Sequence, residues 1–311
     1  MDGYYAGWDG GGTGTTIECA APDGRILLRG RSGPLNLNGN EPATVRASIR
    51  DALTQMTALP GGPAACLGLC IACAGISNPD NTAAIDAFLT KEGYSGPHIF
   101  VGDHESAFYG ALEDKPGMVL ISGTGSVCLG KNSRGVSHRC GGWGHRIDDG
   151  GSGYAIGRDI LSAVVMARDG RTPPTLLTDM VYSHLGITDT NELIRFVYGP
   201  ATSKKDIAAL APLAVKATLQ GDNAAIQIET GAADQLMLLA ETTAEKLTLS
   251  HAPLALSGSI LTRDFVIREM VREKARQSPH ELIPCAPSGN AAHGAMLIAR
   301  SHFTQSSRLP E

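Results

Sequence analysis

The chain has 311 residues, which suits two domains of ordinary size or one large domain. Hydrophobic residues make up 42% of the chain and charged residues 18%, which excludes an intrinsically disordered protein. The formal net charge of -5 leaves no basic excess to neutralise phosphates, so nucleic acid is not expected as its main partner.

The first third of the chain predicts an opening hairpin followed by alternating strands and helices. Turn signals such as APDGR separate short strand-like runs, and Val45, Ile49 and Leu53 recur at helical spacing. The expected strands are 4–8, 16–20, 26–29, 66–72 and 98–101, and the expected helices are 41–59, 82–89 and 105–112. This order predicts a fold of the α/β class.

Three of the seven cysteines fall in the run ACLGLCIACAG, which invites interpretation as a metal site. The run is short, apolar and bounded by Pro63 and Gly75, which favours a buried strand. On a strand Cys70 and Cys73 would point to opposite faces, so no metal site is expected there. The odd cysteine count, and the lack of a recognisable signal peptide or of 18 consecutive apolar residues, predict a cytoplasmic protein that does not bind a membrane.

The opening pattern returns at residue 118, in GMVLISGTGSVCLGKNSRGVSH. Like YYAGWDGGGTGTTIECAAPDGRIL, this stretch reads as strand, glycine turn, strand, polar turn and strand. The repeat predicts two domains that share one hairpin design, with a boundary near residue 115. After it we expect a strand in APLALSGSI, a frayed tail TQSSRLPE, and helices over 152–168, 174–185, 206–219, 223–249, 263–276 and 290–299.

The first glycine turn, in WDGGGTGTT, has the composition of a phosphate site. A hairpin needs about one glycine with positive φ, whereas Gly10, Gly11 and Gly12 stand in a row. Without Cβ atoms an anion can reach successive N–H groups, and the Thr13 hydroxyl can add a donor. Asp9 would repel a bare phosphate but could hold Mg²⁺ that bridges phosphate oxygens. A tight hairpin without a ligand is the alternative interpretation.

The second turn, SGTGS over 122–126, places Gly123, Thr124 and Gly125 at the matching point of the repeat. It is not a Walker A loop, because no G-K-[ST] follows, and not a Rossmann fingerprint, because it leads into a strand. A third turn, SGS over 257–259, could pass under a nucleotide base or ribose. Two unrelated hairpins are the alternative to a shared phosphate site.

Two further stretches suggest a base and a sugar site. Asp103 lies between a predicted strand end and a helix, where a carboxylate can accept a hydroxyl proton or simply cap the helix; His104 is an alternative base. In CGGWGHRIDDGGSGY, Trp143 could stack on a sugar and Asp149 could accept sugar hydroxyls. The alternative there is a long loop with a helix cap at Ser152.

The motifs DGGGT, LISGTGS, CGGWGH, DDGGSGY and LSGSI, in this order, resemble the BadF/BadG/BcrA/BcrD ATPase family, and within it the N-acetylglucosamine kinases. The resemblance covers nearly the whole chain. It implies two ribonuclease-H-like domains of the actin-like ATPase superfamily, with ATP and a sugar in the cleft between them. The implied domains are 1–114, on which a final helix over 288–301 packs back, and 115–287 with helical insertions.

The resemblance also implies roles for individual residues, with ATP and Mg²⁺ as cofactors. Asp103 matches the catalytic aspartate and Asp9 the acid linked to Mg²⁺. The implied ATP contacts are Gly10, Gly11, Gly12, Thr13, Gly123, Thr124, Gly125 and Gly258. The implied sugar contacts are Asn36, Ser126, Gly142, Trp143, Gly144 and Asp149, with Asn38 as an alternative to Asn36. Relatives often carry Glu where this chain has Gly150.

The expected function is therefore an ATP-dependent amino-sugar kinase that phosphorylates the 6-hydroxyl of N-acetylglucosamine. Glucosamine and N-acetylmuramate kinases share much of the pattern and stay as alternatives. A third alternative in the same family is the iron–sulfur ATPase that activates acyl-CoA dehydratases, for which Cys128 and Cys140 are conceivable ligands. A homodimer is expected from the family alone.

Overall fold

A computed structural model describes residues 3–73, 75–76 and 78–306. Its strands are β1 (Tyr4–Gly10), β2 (Thr15–Ala20), β3 (Ile26–Ser32), β4 (Cys66–Cys73), β5 (His98–Val101), β6 (Gly117–Ser122), β7 (Ser126–Lys131), β8 (Ser137–Gly141), β9 (Pro253–Ser257) and β10 (Ile283–Cys285). Its helices are α1 (Pro42–Met56), α2 (Pro79–Lys91), α3 (Asp103–Leu112), α4 (Gly153–Arg168), α5 (Leu177–Leu185), α6 (Thr190–Tyr198), α7 (Lys204–Ala208), α8 (Pro212–Thr218), α9 (Asn223–Leu247), α10 (Ser259–Arg263), α11 (Phe265–Gln277) and α12 (Ala291–Ser306).

The described residues form two compact units. The first unit contains the residues up to Asp114 together with those from Pro287 onward, and the second contains Lys115–Ala286. Each unit is built on one five-stranded sheet, in the order β3-β2-β1-β4-β5 in the first and β10-β9-β6-β7-β8 in the second. The class is therefore α/β, as the sequence predicts.

In the first unit β1 runs parallel to β4, and β4 runs parallel to β5, while β2 and β3 are antiparallel. One face of this sheet packs against α1 through a core that includes Trp8, Ile17 and Ile49. The other face packs against α12, whose Met296 is fully buried. Around Gly294, α12 also lies against the backbone of α3. This helix therefore packs α3 tightly against the sheet.

The second unit has the same strand plan at its centre. β6 pairs antiparallel with β7 and parallel with β9, and β8 closes one edge of the sheet. The long helix α9 lies against β6, β7 and β8 and contributes Leu236 and Ala240 to a core shared with α4. The remaining helices extend that core, so this unit is much richer in helix than the first.

The predicted strands all form, but several helix predictions are wrong in detail. The helix expected over 206–219 is two helices, α7 and α8, because Pro212 begins α8 and cannot donate a backbone bond to the preceding turn. The helix expected from 174 begins only at Leu177, after Pro173 and Pro174. The helices α6 and α10 and the short strand β10 were not predicted. The expectation of a frayed tail falls mostly on 307–311, which lie outside the described residues; α12 continues through Ser306.

The cysteine-rich run is the buried strand β4, as predicted. Cys73 packs on the face that contains Trp8, whereas Cys70 packs on the opposite face beside α12. Burial raises the pKa of the Cys70 thiol, which is consistent with a thiol that serves the core. In the ranges described above, no helix is long and apolar enough to cross a membrane.

A buried acid lies in the helical part of the second unit. Glu229 on α9 is fully buried, and among the described residues neither of its carboxyl oxygens accepts a hydrogen bond. Burial, together with the smaller effect of the neighbouring Asp264 carboxyl, raises the pKa of Glu229 to about 7. Asp264 itself caps α11 by accepting from Val266 N and Ile267 N at 3.0 and 3.1 Å. The neutral form of Glu229 is therefore the form that this site favours.

We expect the free energy of unfolding to fall as the pH rises from about 4, the ordinary range of a carboxyl group, through the raised pKa of Glu229. The folded state keeps a proton that the unfolded state releases, so the stability is present below the ordinary pKa and is lost above the raised one. Urea unfolding at pH 5 and pH 8 should differ by roughly 2–3 kcal/mol through this group. Glu229→Gln should remove that difference, while the exposed control Glu245→Gln should keep it. An unchanged pH dependence in Glu229→Gln would contradict the assignment.

Candidate functional site

The first glycine turn joins β1 to β2 and leaves two amides free. Gly11 N donates to Gly14 O at 2.9 Å, so this amide is used inside the hairpin. Within the described residues, the N–H groups of Gly12 and Thr13 have no acceptor, and both residues are exposed. Gly10 is buried, and a Cβ there would lie 2.6 Å from Leu35 Cβ. The turn therefore combines a tightly packed base with two unused donors at its tip, as an anion site requires.

Two carboxylates lie beside this turn, at the end of the sheet where the parallel strands β1, β4 and β5 finish. Asp9 is opposite Ala72 of β4, which in turn is opposite Val101 of β5, and Asp103 follows two residues later. Burial, together with the smaller effect of the negative charge of Asp103, raises the pKa of Asp9 to about 6. The two acids are thus close enough to repel each other, and a divalent cation would relieve that repulsion. The donor set fits a Mg²⁺ ion held by Asp9 directly or through water.

Asp103 is the first residue of α3 and not its cap. The N-cap position is Gly102, which has no side chain to cap with, and Asp103 Oδ1 accepts from His104 N at 2.9 Å. The side chain of Asp103 is 56% exposed, and His104 Nδ1 lies 3.6 Å from its Oδ1. A carboxylate placed in this way can reach an incoming hydroxyl group.

The loop after β3 is fastened to the first turn. Gly11 O accepts from Asn36 N at 3.4 Å, and Asn40 Nδ2 donates both to Gly12 O and to Asn36 O, at 3.3 and 2.8 Å. Asn38 instead lies against the segment around Gly75, where Asn81 Nδ2 donates to Asn38 Oδ1 at 3.4 Å. Of the two asparagines left open by the sequence, Asn36 is the one placed beside the glycine turn.

The second turn, between β6 and β7, repeats the arrangement of the first. Gly123 N donates to Gly125 O at 2.9 Å, while in the described part of the chain the N–H groups of Thr124 and Gly125 have no acceptor. The carbonyls of Gly123 and Thr124 accept from Gly153 N and Tyr154 N at 2.7 and 3.3 Å, at the start of α4. The turn is therefore held from below by α4, with two amides left unused.

Serine hydroxyls at both ends of this turn hold the loop that precedes α4. Ser122 Oγ donates to Gly151 O at 2.8 Å and Ser126 Oγ donates to Gly150 O at 2.7 Å. Ser126 is buried, so its hydroxyl hydrogen is already used, and only its lone pairs stay available to a substrate. Ser152 caps α4, as its position predicted, since its side chain accepts from Ala155 N.

Asp149 and Gly258 both lie against the second turn. Asp149 is buried with a φ of 66°, and a Cβ on Gly125 would lie 2.9 Å from its Oδ2. Gly258 has a φ of 89°, and any side chain there would collide with the backbone of Ser122. Because β9 runs parallel to β6, the Gly258 turn comes to the same sheet edge as the second glycine turn.

The segment with Gly142, Trp143 and Gly144 leaves the edge strand β8. Both glycines have positive φ, 75° and 102°, and Trp143 is 68% exposed between them. Trp143 N donates to Asp148 Oδ2 at 3.1 Å, which ties the segment to the residue before Asp149. An indole presented in this way can stack on the apolar face of a sugar.

Each unit thus brings together its own predicted residues. In the first unit these are Asp9, the 10–13 turn, Asn36 and Asp103; in the second they are the 123–126 turn, Asp149, Gly258 and the 142–144 segment. Sequence reasoning missed two supporting residues, Asn40 and Arg139. The alternating asparagines in LNLNGN were an available signal for Asn40, whereas the sequence held none for Arg139.

Comparison with known proteins agrees with this geometry. The profile of the BadF/BadG/BcrA/BcrD ATPase family matches residues 6–299. An N-acetylmuramic acid/N-acetylglucosamine kinase from Clostridium acetobutylicum is 31% identical, covering 96% of this chain and 98% of the relative. An N-acetyl-D-glucosamine kinase from Dictyostelium discoideum is 30% identical, covering 93% and 96%.

A solved structure from Chromobacterium violaceum, whose suggested activity is N-acetylglucosamine kinase, superposes with a TM-score of 0.76 at 26% identity, covering 96% of this chain and 99% of that one. The two-sheet α/β architecture is accordingly that of actin-like sugar kinases, with two ribonuclease-H-like domains. The resemblance seen in the five motifs is confirmed, and the chain belongs to the BadF/BadG/BcrA/BcrD ATPase family.

Proposed function

We propose that this protein is an ATP-dependent kinase that transfers the γ-phosphate to the 6-hydroxyl of N-acetylglucosamine. The observation that carries the proposal is that Asp9 and Asp103 lie at the same end of the parallel strands, beside a turn with two unused amides. The two relatives from Clostridium acetobutylicum and Dictyostelium discoideum, both kinases of N-acetylated amino sugars, support it. We take the two compact units as the two ATPase domains, with α12 belonging to the first.

The phosphate groups of ATP would be bound by backbone amides. In the first unit the proposed phosphate donors are the N–H groups of Gly12 and Thr13, and in the second unit they are those of Thr124 and Gly125. These donors are fixed by the hairpins before a nucleotide arrives, so they stabilise charge on the transferring phosphoryl group without reorganising. Gly10, Gly11 and Gly123 shape the turns, and Gly258 keeps the adenosine side of the second turn free of a side chain. Mg²⁺, when bound at Asp9, supplies positive charge to the phosphate oxygens.

The sugar would be bound by polar groups and one aromatic ring. Asn36 offers its Nδ2, which is not used by the loop, and Asp149 offers its carboxylate to sugar hydroxyls. Trp143 stacks on the sugar face, with Gly142 and Gly144 allowing the segment to approach and Ser126 accepting from a hydroxyl. Asp103 accepts the proton of the 6-hydroxyl group while the hydroxyl oxygen attacks the γ-phosphorus of ATP.

The cysteines argue against the iron–sulfur activator. Such an activator needs cysteine ligands at the surface, where two subunits can share a cluster. Cys128 is fully buried in β7 and faces Cys140 of β8 inside the sheet, so it cannot reach a partner subunit.

An ADP-release assay across N-acetylglucosamine, glucosamine, N-acetylmuramate and glucose tests the proposal directly. We expect the highest kcat/KM with N-acetylglucosamine, and ³¹P NMR of the product should show a 6-phosphate. Preferred turnover of glucosamine or N-acetylmuramate would keep the kinase and change its substrate. ADP release that no sugar stimulates would sink the proposal.

Asp103→Asn should lower kcat by roughly 10²–10⁴-fold, because the base is lost, and should leave sugar affinity largely intact. Asp80→Asn is a matched control, since Asp80 is also an exposed acid in the first turn of a helix and contributes the same charge to that helix. Stopped-flow kinetics and direct sugar titration separate the two effects. Near-normal turnover in Asp103→Asn would remove Asp103 from the role of base and favour His104, which His104→Ala would then test.

Gly12→Ala should raise the KM for ATP by roughly tenfold, about 1.4 kcal/mol. A Cβ at Gly12 meets no protein atom within 4 Å, so the fold should be unaffected, but the methyl group would occupy the space that a phosphate needs. Gly231→Ala is the control, because its Cβ also meets no atom and it lies on α9. Thermal unfolding and ATP titration check the prediction. An unchanged KM for ATP would place the phosphates elsewhere.

A further inference from the structure

Arg139 lies near the end of the edge strand β8. Its side chain contacts Gly141, Gly142 and Trp143. Its Nε donates to Gly141 O at 3.1 Å, and its Nη2 donates to Gly142 O. Its Cζ lies 5.1 Å from the centroid of the Trp143 ring. One guanidinium group therefore bonds two successive carbonyls and covers one face of the following indole.

These contacts depend on the local backbone. Gly141 and Gly142 have φ values of 78° and 75°, a left-handed turn that takes the chain away from the sheet. A Cβ on Gly142 would lie 2.8 Å from Arg139 Nη2, so the glycine is what admits the guanidinium. Gly142 lies past the end of β8, and Arg139 donates to its carbonyl as well as to that of Gly141, the last residue of the strand.

The positive charge of Arg139 is not neutralised by an acidic side chain among the described residues. Among the described residues it forms no ion pair with Asp or Glu, although Arg29 and Arg158 do so with Glu18 and Asp159. A planar guanidinium that has several N–H donors and an aromatic face can satisfy carbonyls and a ring at the same time. A lysine at this position could do one of these but not both.

We propose that Arg139 is a positioning residue for the sugar: it fixes the plane of Trp143 so that the uncovered face of the indole is presented to the substrate. The inference rests on the proposed function, because it assigns to Arg139 the task of preparing Trp143 for a sugar. Asp148 holds the backbone N–H of Trp143 and Arg139 holds its ring, so the two anchors have separate effects.

The kinetic test compares Arg139→Ala, Arg139→Lys and the control Arg134→Ala, using N-acetylglucosamine and ATP. Arg134 is exposed in the turn between β7 and β8 and does not touch the segment. We expect Arg139→Ala to raise the sugar KM roughly tenfold, with kcat within about threefold and the ATP KM unchanged. Arg139→Lys should lie between wild type and Arg139→Ala. Arg134→Ala should match wild type.

Fluorescence gives a readout that a merely structural role would not move. The chain has two tryptophans, of which Trp8 is fully buried and Trp143 is exposed, so an aqueous quencher reports chiefly on Trp143. In wild type N-acetylglucosamine should protect Trp143 from acrylamide. In Arg139→Ala quenching should be stronger without sugar, and the sugar should protect much less. Trp143→Phe identifies which signal belongs to this ring.

The outcomes separate the two proposals. If wild type turns over no amino sugar, the proposed function fails, and the quenching of the sugar-free variants alone decides whether Arg139 fixes Trp143. If wild type is active and Arg139→Ala keeps both its sugar KM and its quenching, Arg139 has no positioning role. A fall in kcat with an unchanged sugar KM would also overturn the inference. Should Arg139→Ala fail to fold, Arg139→Lys, which keeps the charge, must still raise the sugar KM.

Discussion

The candidate site depends on one constraint: the carboxyl ends of neighbouring parallel strands must meet at the same edge of a sheet. In the first unit this places the end of β1, which carries Asp9, near the end of β5, which leads into Asp103. In the second it places the end of β6 beside the end of β9 and Gly258. The cost is visible in the raised pKa of Asp9, since a fold selected only for stability would not place a half-buried acid near a second acid.

Both hairpin turns present unused backbone N–H groups with the same local geometry. Each uses its first amide inside the turn, at Gly11 and Gly123, and leaves the next two amides without an acceptor. Each is also held from behind, by Leu35 and Asn40 in the first unit and by the start of α4 in the second. Unpaired N–H groups are costly when they are buried and useful when they are fixed and exposed, and rigid support lets these turns keep them exposed.

Most of the fold could be predicted from the sequence because strand alternation, helical spacing and glycine turns are local signals. The break between α7 and α8 was also signalled locally, by Pro212, and a stricter reading would have found it. The supporting contacts could not be predicted in this way. Arg139 bonds Gly141 and Gly142 only because both glycines turn left-handed, a conformation that the letters CGGWG permit but do not require. Which side chain would face that turn depends on the geometry of the sheet edge.

The surroundings of Asp9 and Asp103 support the different roles proposed for them. A general base must touch the hydroxyl that it deprotonates, and Asp103 is 56% exposed at the start of α3. Asp9 is less accessible to solvent, and burial raises its pKa to about 6. The charged form of Asp9 is therefore disfavoured, and a bound cation would stabilise it. We therefore propose different functions for these two acids, because Asp103 is exposed and Asp9 is only partly accessible.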